Sequence, residues 1–181
     1  MSTSTKFYIC ILPPKGVQRA LAQFQEAAVP PELRLNQGFH LSVKTQPGLS
    51  PDFSWLDAVL RVAEQQAAFT CSVSGVPKQF PEGIAYLPAY ADEVVRLHRK
   101  LVRAVQPPPE LSREYFELSL YTPHVTVAKL TDPQIGEQIC LRGEDHFENG
   151  VFRFRVAHLS VQMRRLGERH YAEAMQIPLR G

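Results

Sequence analysis

Two short segments carry the pattern that most constrains the fold, a histidine two residues before a hydroxyl side chain with apolar residues between and after. "HLSV" begins at His40 and "HVTV" begins at His124. In a β-strand, successive side chains alternate between the two faces. His40 therefore shares a face with Ser42, and His124 shares one with Thr126. The apolar residues face the opposite way, so each segment is predicted to be a strand with one polar face and one core face.

The elements before each histidine follow the same order. A strand over 6–12 and a helix over 15–28 precede His40, and a strand over 83–88 and a helix over 91–105 precede the second histidine. This order indicates two similar halves, each of which delivers one histidine and one hydroxyl. We therefore predict an α+β protein of two pseudo-symmetric lobes, with antiparallel sheets flanked by helices and an active-site cleft between the lobes.

The remaining predicted elements are short. They are strands over 39–45, 68–76 and 124–130, helices over 54–67 and 132–141, a turn over 77–82, and a closing pair of strands within 150–163 and 170–179, joined by a loop that contains Gly167.

Composition indicates a cytoplasmic globular protein. The 181 residues suit a single domain spanning 1–181, and the net charge of +2 is too small to argue for nucleic-acid binding. The three cysteines have no CxxC spacing, which is typical of free thiols in a reducing compartment. The apolar run near the N-terminus ends at Pro13 and Pro14 and is interpreted as a first strand, so we predict no signal peptide and no membrane contact.

Two imidazoles and two hydroxyls facing one cleft suit displacement at a phosphate. One neutral histidine removes a proton from the attacking oxygen, and the other, protonated, gives a proton to the leaving oxygen. A free imidazole pKa of about 6.5 makes both states accessible near neutrality. The hydroxyls would donate to the non-bridging oxygens and hold the phosphate in line. Neither HExxH nor CxxC nor a carboxylate cluster accompanies either segment, so we predict no metal and no cofactor.

Two further histidines need separate interpretations. "HLSV" recurs at 158–161, and His158 shares its predicted face with Phe152 and Phe154. We interpret it as a packed structural residue. His98 lies in a helix among basic residues and is predicted to be at the surface.

The chain resembles the 2H phosphoesterases, in particular the bacterial RNA 2′,3′-cyclic phosphodiesterases that are also called 2′-5′ RNA ligases. The segments that carry the resemblance are "KFYICILPP", "FHLSVKT", "YTPHVTVAKL" and "HYAEAMQIPL". Ser42 stands where the family more often has threonine, and "KTQPGL" replaces the usual continuation of the first motif.

The resemblance implies roles for the four motif residues. His40 and His124 would be catalytic, with Ser42 and Thr126 holding the phosphate. Water would attack a 2′,3′-cyclic phosphate at an RNA end or in a small cyclic nucleotide and leave a 2′-phosphate. The same geometry would also join a 5′-hydroxyl end to a cyclic end, reversibly, through a 2′-5′ bond. The sequence leaves open which histidine is the acid and which the base. We expect a monomer.

Five further residues are candidate substrate contacts. Lys44 has the strand parity of His40, so it is interpreted either as a contact to the phosphate or as a solvated lysine at the end of the strand. Lys129 has the opposite parity to His124 and reaches the cleft only if its strand twists or bulges, so the resemblance is the main reason to include it. The remaining three, Tyr121, Tyr86 and Phe39, are candidates to stack on a base, although core packing is the favoured interpretation for each taken alone.

Three alternatives remain open at this point. The same fold could act on another small cyclic phosphate such as ADP-ribose 1″,2″-cyclic phosphate. The protein could be a binding module that holds nucleotides or RNA without turnover. A zinc hydrolase could use the two motif histidines as ligands.

Overall fold

The computed structural model describes residues 5–35, 37–148 and 150–181. These residues form nine strands and five α-helices. In chain order they are β1 (Lys6–Ile11), α1 (Lys15–Ala28), β2 (Leu41–Lys44), α2 (Leu56–Gln65), β3 (Phe69–Ser74), β4 (Lys78–Phe80), β5 (Ile84–Tyr90), α3 (Asp92–Val105), α4 (Pro109–Glu114), β6 (His124–Lys129), α5 (Pro133–Phe147), β7 (Val151–Val156), β8 (His158–Arg164) and β9 (Ala172–Pro178).

The strands form one curled antiparallel sheet with the two motif strands at its centre. Its order is β7-β3-β5-β6-β2-β1-β8-β9, and β4 pairs with β5. Leu41 in β2 faces Val125 in β6. Outward from this pair, β5 and β3 flank β6 as β1 and β8 flank β2. The predicted α+β fold with two pseudo-symmetric halves is confirmed.

The helices pack crosswise between the halves. Helix α1, which follows β1, contacts β6, whereas α3, which follows β5, contacts β2. Two buried hydrogen bonds accompany this exchange. The Gln25 amide nitrogen donates to the Val127 carbonyl over 2.8 Å, and the His98 ring meets the Val43 carbonyl over 2.9 Å. Each motif strand is therefore held by a helix from the other half.

The core lies between the helices and one face of the sheet. It contains the apolar residues of both motif strands, such as Leu41 and Val125, and the inward stripe of α3, such as Leu97 and Leu101, all fully buried. Burial of each such side chain contributes roughly 1.5–3 kcal/mol to folding. Burial of the apolar side chains of each motif strand therefore fixes the position of the polar side chains on its other face.

The predicted closing hairpin is only partly right. Strands β8 and β9 do pair, through a loop that contains Gly167 at φ +87°. The segment 150–163, however, is not one strand, because β7 pairs with β3 in one half and β8 pairs with β1 in the other. The inward residues change parity at Ala157, from Phe154 and Val156 to Leu159 and Val161. That change in alternation is the sequence signal of the break.

Three other predictions differ from the structure. The predicted turn over 77–82 contains β4, helix α5 continues past 141 to Phe147, and α4 was not predicted. Strand β4 is only three residues long and is held by pairing with β5, so it has too little alternation to be recognised.

Candidate active site

The register of the central strand pair brings the four motif residues together. Leu41 faces Val125 in an antiparallel pair. Continuing this register by one residue each way places Ser42 opposite His124 and His40 opposite Thr126. All four are half-buried on the face of the sheet away from the helices. The two histidines are diagonal neighbours, a relation that in antiparallel sheets corresponds to about 7–8 Å. Each imidazole therefore lies beside the hydroxyl of the other motif.

Both rings are oriented in the same way. The Nδ1 atom of His40 lies 3.1 Å from the Gly38 carbonyl, and Nδ1 of His124 lies 2.7 Å from the Thr122 carbonyl. A carbonyl only accepts hydrogen bonds, so we assign the proton of the neutral ring to Nδ1 in both cases. Nε2 is then the nitrogen that can accept a proton from a substrate or, once protonated, donate one.

The environment favours the neutral form of both rings. Burial lowers the pKa of His40 and of His124, and in each ring the hydrogen bond to the main-chain carbonyl opposes this effect. The charge of His124 lowers the pKa of His40 further, since like charges close together disfavour double protonation. A bound phosphate anion would favour protonation of one ring, which is the pairing that acid–base chemistry needs.

A β-bulge follows each motif hydroxyl. In β2, Ser42 pairs with Cys10 and Lys44 pairs with Ile9, so Val43 is an extra residue. In β6, Thr126 pairs with Tyr86 and Ala128 pairs with Ala85, so one extra residue lies between them. A bulge shifts the alternation of side chains by one residue. The same irregularity in both halves changes the direction of the side chains that follow the extra residue.

The first bulge removes Lys44 from the cleft, which corrects its assignment as a substrate contact. Its side chain is fully buried and forms an ion pair with Glu117 at 2.7 Å. The ammonium also donates to the carbonyls of Thr45, at 3.0 Å, and Pro47, at 2.6 Å. Because these three acceptors use all three of its protons, the Lys44 ammonium has none left to donate to a substrate.

The second bulge has the opposite effect on Lys129. In a regular strand Lys129 would point to the face opposite Thr126. Because of the bulge, its side chain is exposed on the same face as Thr126. It lines a cavity together with residues of the β8–β9 loop. The structure therefore places Lys129 where a substrate extending from the motif residues could meet it.

His98 and Tyr121 form a layer behind Ser42. The Tyr121 hydroxyl donates to the Ser42 carbonyl over 2.7 Å, and its ring stacks on His98 with centroids 3.8 Å apart. His98 is fully buried, contrary to the surface position predicted for it. Its Nε2 accepts the Leu118 N–H over 2.8 Å while Nδ1 donates to the Val43 carbonyl. Because both ring nitrogens have partners, the histidine is accommodated in the core.

Aromatic side chains surround the motif histidines. The Tyr8 ring lies 4.9 Å from that of His40, and Phe80 and Tyr86 lie 5.1 and 5.4 Å from His124. Phe80 and Tyr86 also stack on each other at 3.9 Å. Tyr86 therefore lies next to His124, but it is only 7% exposed and one face of its ring is covered by Phe80.

The Phe39 side chain is placed differently. It is 5% exposed and belongs to the hydrophobic core. Its main chain is held by Gln18, whose amide oxygen accepts from the Phe39 N–H over 3.0 Å. Phe39 thus orients the segment that carries His40 and offers no free face to a base.

A cavity of about 330 Å³ opens beside Ser42 and His124. Its lining is mostly apolar and includes Phe80, Tyr121 and Phe116. Such a cavity can hold a planar, weakly polar group next to the motif residues. Phe80, Phe116 and Tyr8 were not among the residues predicted from the sequence. Tyr8 had a signal, since it alternates with inward-facing residues of the first strand, but the other two lie in segments without periodicity.

His158 is exposed at the start of β8 opposite Pro178. This corrects its interpretation as a packed residue. The break at Ala157 separates it from the alternation of β7, so it does not share the face of Phe152 and Phe154.

Within the described ranges, no group of three or more His, Cys, Asp or Glu side chains is arranged to hold a metal ion. Among the same residues, no helix combines the length and the apolar character needed to cross a membrane.

The site and the fold together define a protein with two histidine–hydroxyl motifs that face each other on a curled antiparallel sheet. The family model for the 2′-5′ RNA ligase superfamily matches residues 12–168. The chain belongs to the 2′-5′ RNA ligase superfamily. No curated protein sequence gives a significant match.

Solved structures with the same fold cover nearly the whole chain. TT0787 of Thermus thermophilus is 19% identical with a TM-score of 0.66, over 97% of this chain and 98% of its own. E. coli LigT complexed with 3′-AMP is 13% identical with a TM-score of 0.63, over 98% and 99%. Usb1 of Kluyveromyces marxianus is 11% identical with a TM-score of 0.58, over 98% of each chain. At these identities the likeness establishes the fold alone.

Proposed function

We propose that this protein is a metal-independent phosphodiesterase that hydrolyses 2′,3′-cyclic phosphates of RNA ends or nucleotides to 2′-phosphates. The observation that carries the proposal is the pair of imidazoles on adjacent central strands, His40 and His124. Each ring donates through Nδ1 to a main-chain carbonyl, which leaves Nε2 for the substrate. Each ring also lies opposite a hydroxyl of the other motif.

The reaction uses the two rings on opposite sides of one phosphorus. Nε2 of one neutral histidine removes a proton from water as the oxygen attacks the phosphorus. The bond from phosphorus to O3′ breaks, and the other histidine, protonated, gives its Nε2 proton to O3′. The hydroxyls of Ser42 and Thr126 donate to the non-bridging oxygens. Each proton transfer contributes about 10²–10⁴-fold to the rate.

The same arrangement supports ligation. A 5′-hydroxyl would take the place of water as the nucleophile, and the 2′,3′-cyclic phosphate would open into a 2′-5′ diester while O3′ takes up a proton. Cleavage of that 2′-5′ diester is the reverse reaction. By microscopic reversibility, the histidines that act as acid and base exchange roles in it. Ligation is therefore part of the proposal, and it requires the same two histidines.

The surroundings support a nucleotide in the cleft. The aromatic cavity beside Ser42 and His124 has room for a base, and aromatic side chains stack on bases without strong sequence preference. E. coli LigT, which shares the fold, has been crystallised with 3′-AMP and with phosphate.

The decisive experiment is hydrolysis of nucleoside 2′,3′-cyclic phosphates in the presence of a chelator, with the product isomer identified by phosphorus NMR. We expect a 2′-phosphate and no effect of the chelator. ADP-ribose 1″,2″-cyclic phosphate is assayed in parallel, and faster turnover of it would reassign the substrate. Loss of activity with chelator and its recovery with zinc would overturn the mechanism. Binding without release of a phosphomonoester would indicate a binding module.

The pH dependence of kcat/KM gives a second prediction. In the free enzyme, burial lowers the pKa of both motif histidines below the ordinary value, which is about 6.5. The histidine that acts as base therefore stays neutral to a lower pH than a free imidazole would. The histidine that acts as acid also loses its proton at a lower pH than a free imidazole would. We expect a bell-shaped profile with its maximum on the acid side of about pH 6.5, measured with a nucleoside 2′,3′-cyclic phosphate. A flat profile between about pH 5 and 9 would contradict the acid–base assignment.

A further inference from the structure

Helix α4 is followed by a large aromatic residue at a position that favours glycine. The Phe116 N–H donates to the Arg113 carbonyl over 3.1 Å. The next residue, Glu117, donates its N–H to the Ser112 carbonyl over 2.8 Å. These two hydrogen bonds form a Schellman motif, in which the left-handed residue is usually glycine. Phe116 occupies that position with φ +54°, where a side chain with a Cβ is unfavourable and a bulky one is rare.

Packing of the Phe116 side chain does little to offset this cost. The residue is 52% exposed, so folding removes only about half of its surface from water. A half-exposed phenylalanine in an unfavourable backbone conformation has no evident role in folding. Because strained positions in proteins cluster at functional sites, it indicates a role in function.

The Phe116 ring lines the aromatic cavity beside His124. Two other rings of that cavity already have one face covered. Phe80 and Tyr121 each stack on a further aromatic ring, with centroids 3.9 and 3.8 Å apart. The half-exposed Phe116 therefore has ring surface left for a ligand in the cavity.

The two residues that follow Phe116 fix its backbone. Glu117 is buried and forms an ion pair with Lys44 at 2.7 Å. The Leu118 N–H donates to the buried His98 ring over 2.8 Å. These contacts hold the Phe116 ring at the cavity before a ligand arrives, and such preorganisation lowers the entropic cost of binding.

We propose that Phe116 is a substrate-binding residue that stacks on the base of the nucleotide whose cyclic phosphate occupies the motif histidines. This inference rests on the proposed function and assigns one residue to the recognition of its substrate. The cavity lining is mostly apolar, so stacking holds the base and little preference among the four bases is expected. Stacking on an aromatic side chain changes affinity roughly 5- to 150-fold per base.

The test compares adenosine 2′,3′-cyclic phosphate with methyl β-ribofuranoside 2,3-cyclic phosphate, which has the same reacting group and no base. We expect Phe116→Gly to lower kcat/KM at least about fivefold for the adenosine substrate, mainly through KM, and less than about twofold for the base-free one. Phe116→Leu keeps an apolar side chain without a ring and should behave like Phe116→Gly. Phe116→Tyr keeps the ring and should retain the wild-type ratio of the two kcat/KM values.

Leu118→Gly is the matched control. Leu118 also has a left-handed backbone, with φ +59°, and a partly exposed apolar side chain, but it lines a different cavity. Glycine adopts this conformation without steric cost, so both glycine variants should keep a urea midpoint close to that of the wild type. The Leu118→Gly variant should retain the preference for the adenosine substrate. Equal loss of that preference in both variants would mean that the turn matters and the ring does not, which would overturn the inference.

Binding is measured separately by calorimetry with adenosine 2′-phosphate, the expected product, and with methyl β-ribofuranoside 2-phosphate. We expect Phe116→Gly to weaken binding of the adenosine compound at least about fivefold and to leave that of the base-free compound unchanged. Such a difference without turnover of any cyclic phosphate would support this inference and contradict the proposed function. A wild-type kcat/KM of Phe116→Gly for the adenosine substrate would overturn the inference and leave the function standing.

Discussion

The variants His40→Ala and His124→Ala are each expected to lower kcat at least about a hundredfold, since each removes one proton transfer worth about 10²–10⁴-fold. Both rings are half-buried on the polar face of the central strands, so their removal leaves the core unchanged. The measurement is single-turnover hydrolysis of a nucleoside 2′,3′-cyclic phosphate. Thermal unfolding of each variant, compared with the wild type, separates loss of chemistry from loss of fold.

His158→Ala is the matched control for this prediction. His158 also precedes a "LSV" sequence, but it is exposed at the start of β8 and pairs with Pro178. We expect its kcat to remain within about twofold of the wild type, as is usual for exposed positions without a functional contact. Equal damage from all three substitutions would mean that the catalytic pair has been chosen incorrectly.

The second large effect concerns stability. Glu117→Gln is expected to lower the free energy of unfolding by about 3–5 kcal/mol, because it leaves the fully buried Lys44 ammonium without its counter-charge. Burial lowers the pKa of Lys44 and Glu117 opposes this shift. The carboxylate also accepts hydrogen bonds from the hydroxyls of Thr45, at 2.6 Å, and Ser112, at 3.2 Å. Urea unfolding at neutral pH measures the loss.

Glu93→Gln provides the exposed counterpart. Glu93 pairs with Arg96 at 3.1 Å, but both side chains are well exposed, and such pairs contribute about 0–1 kcal/mol. The double variant Lys44→Met/Glu117→Leu removes both charges and should be more stable than Glu117→Gln alone. Equal unfolding free energies for Glu117→Gln and Glu93→Gln would show that the buried pair does not stabilise the fold.

The buried ion pair also bears on the site. Lys44 follows Ser42 by two residues, and Glu117 precedes Tyr121, whose hydroxyl holds the Ser42 carbonyl. The ion pair therefore links the segment that contains Glu117 and Tyr121, which lines the aromatic cavity, to β2, which carries the first motif.

The sequence by itself determined the features that depend on local order. Alternation predicted that His40 and Ser42 share a face, as do His124 and Thr126, and the helical spacing of apolar residues predicted α1 with its observed bounds, 15–28. These predictions succeed because side-chain direction in strands and helices repeats every two or 3.6 residues. The same regularity indicated two similar halves.

Tertiary structure alone decided where several side chains point. The sequence assigned Lys44 to the cleft by parity, but the bulge at Val43 turns it into the core, where Glu117, far away in the chain, supplies its partner. His98 is likewise buried because Val43 and Leu118 satisfy its ring. Bulges and buried polar partners arise from pairing between distant segments. Local periodicity in the sequence does not encode such pairing. Only the folded chain brings the distant segments together, and this determines which residues surround the site.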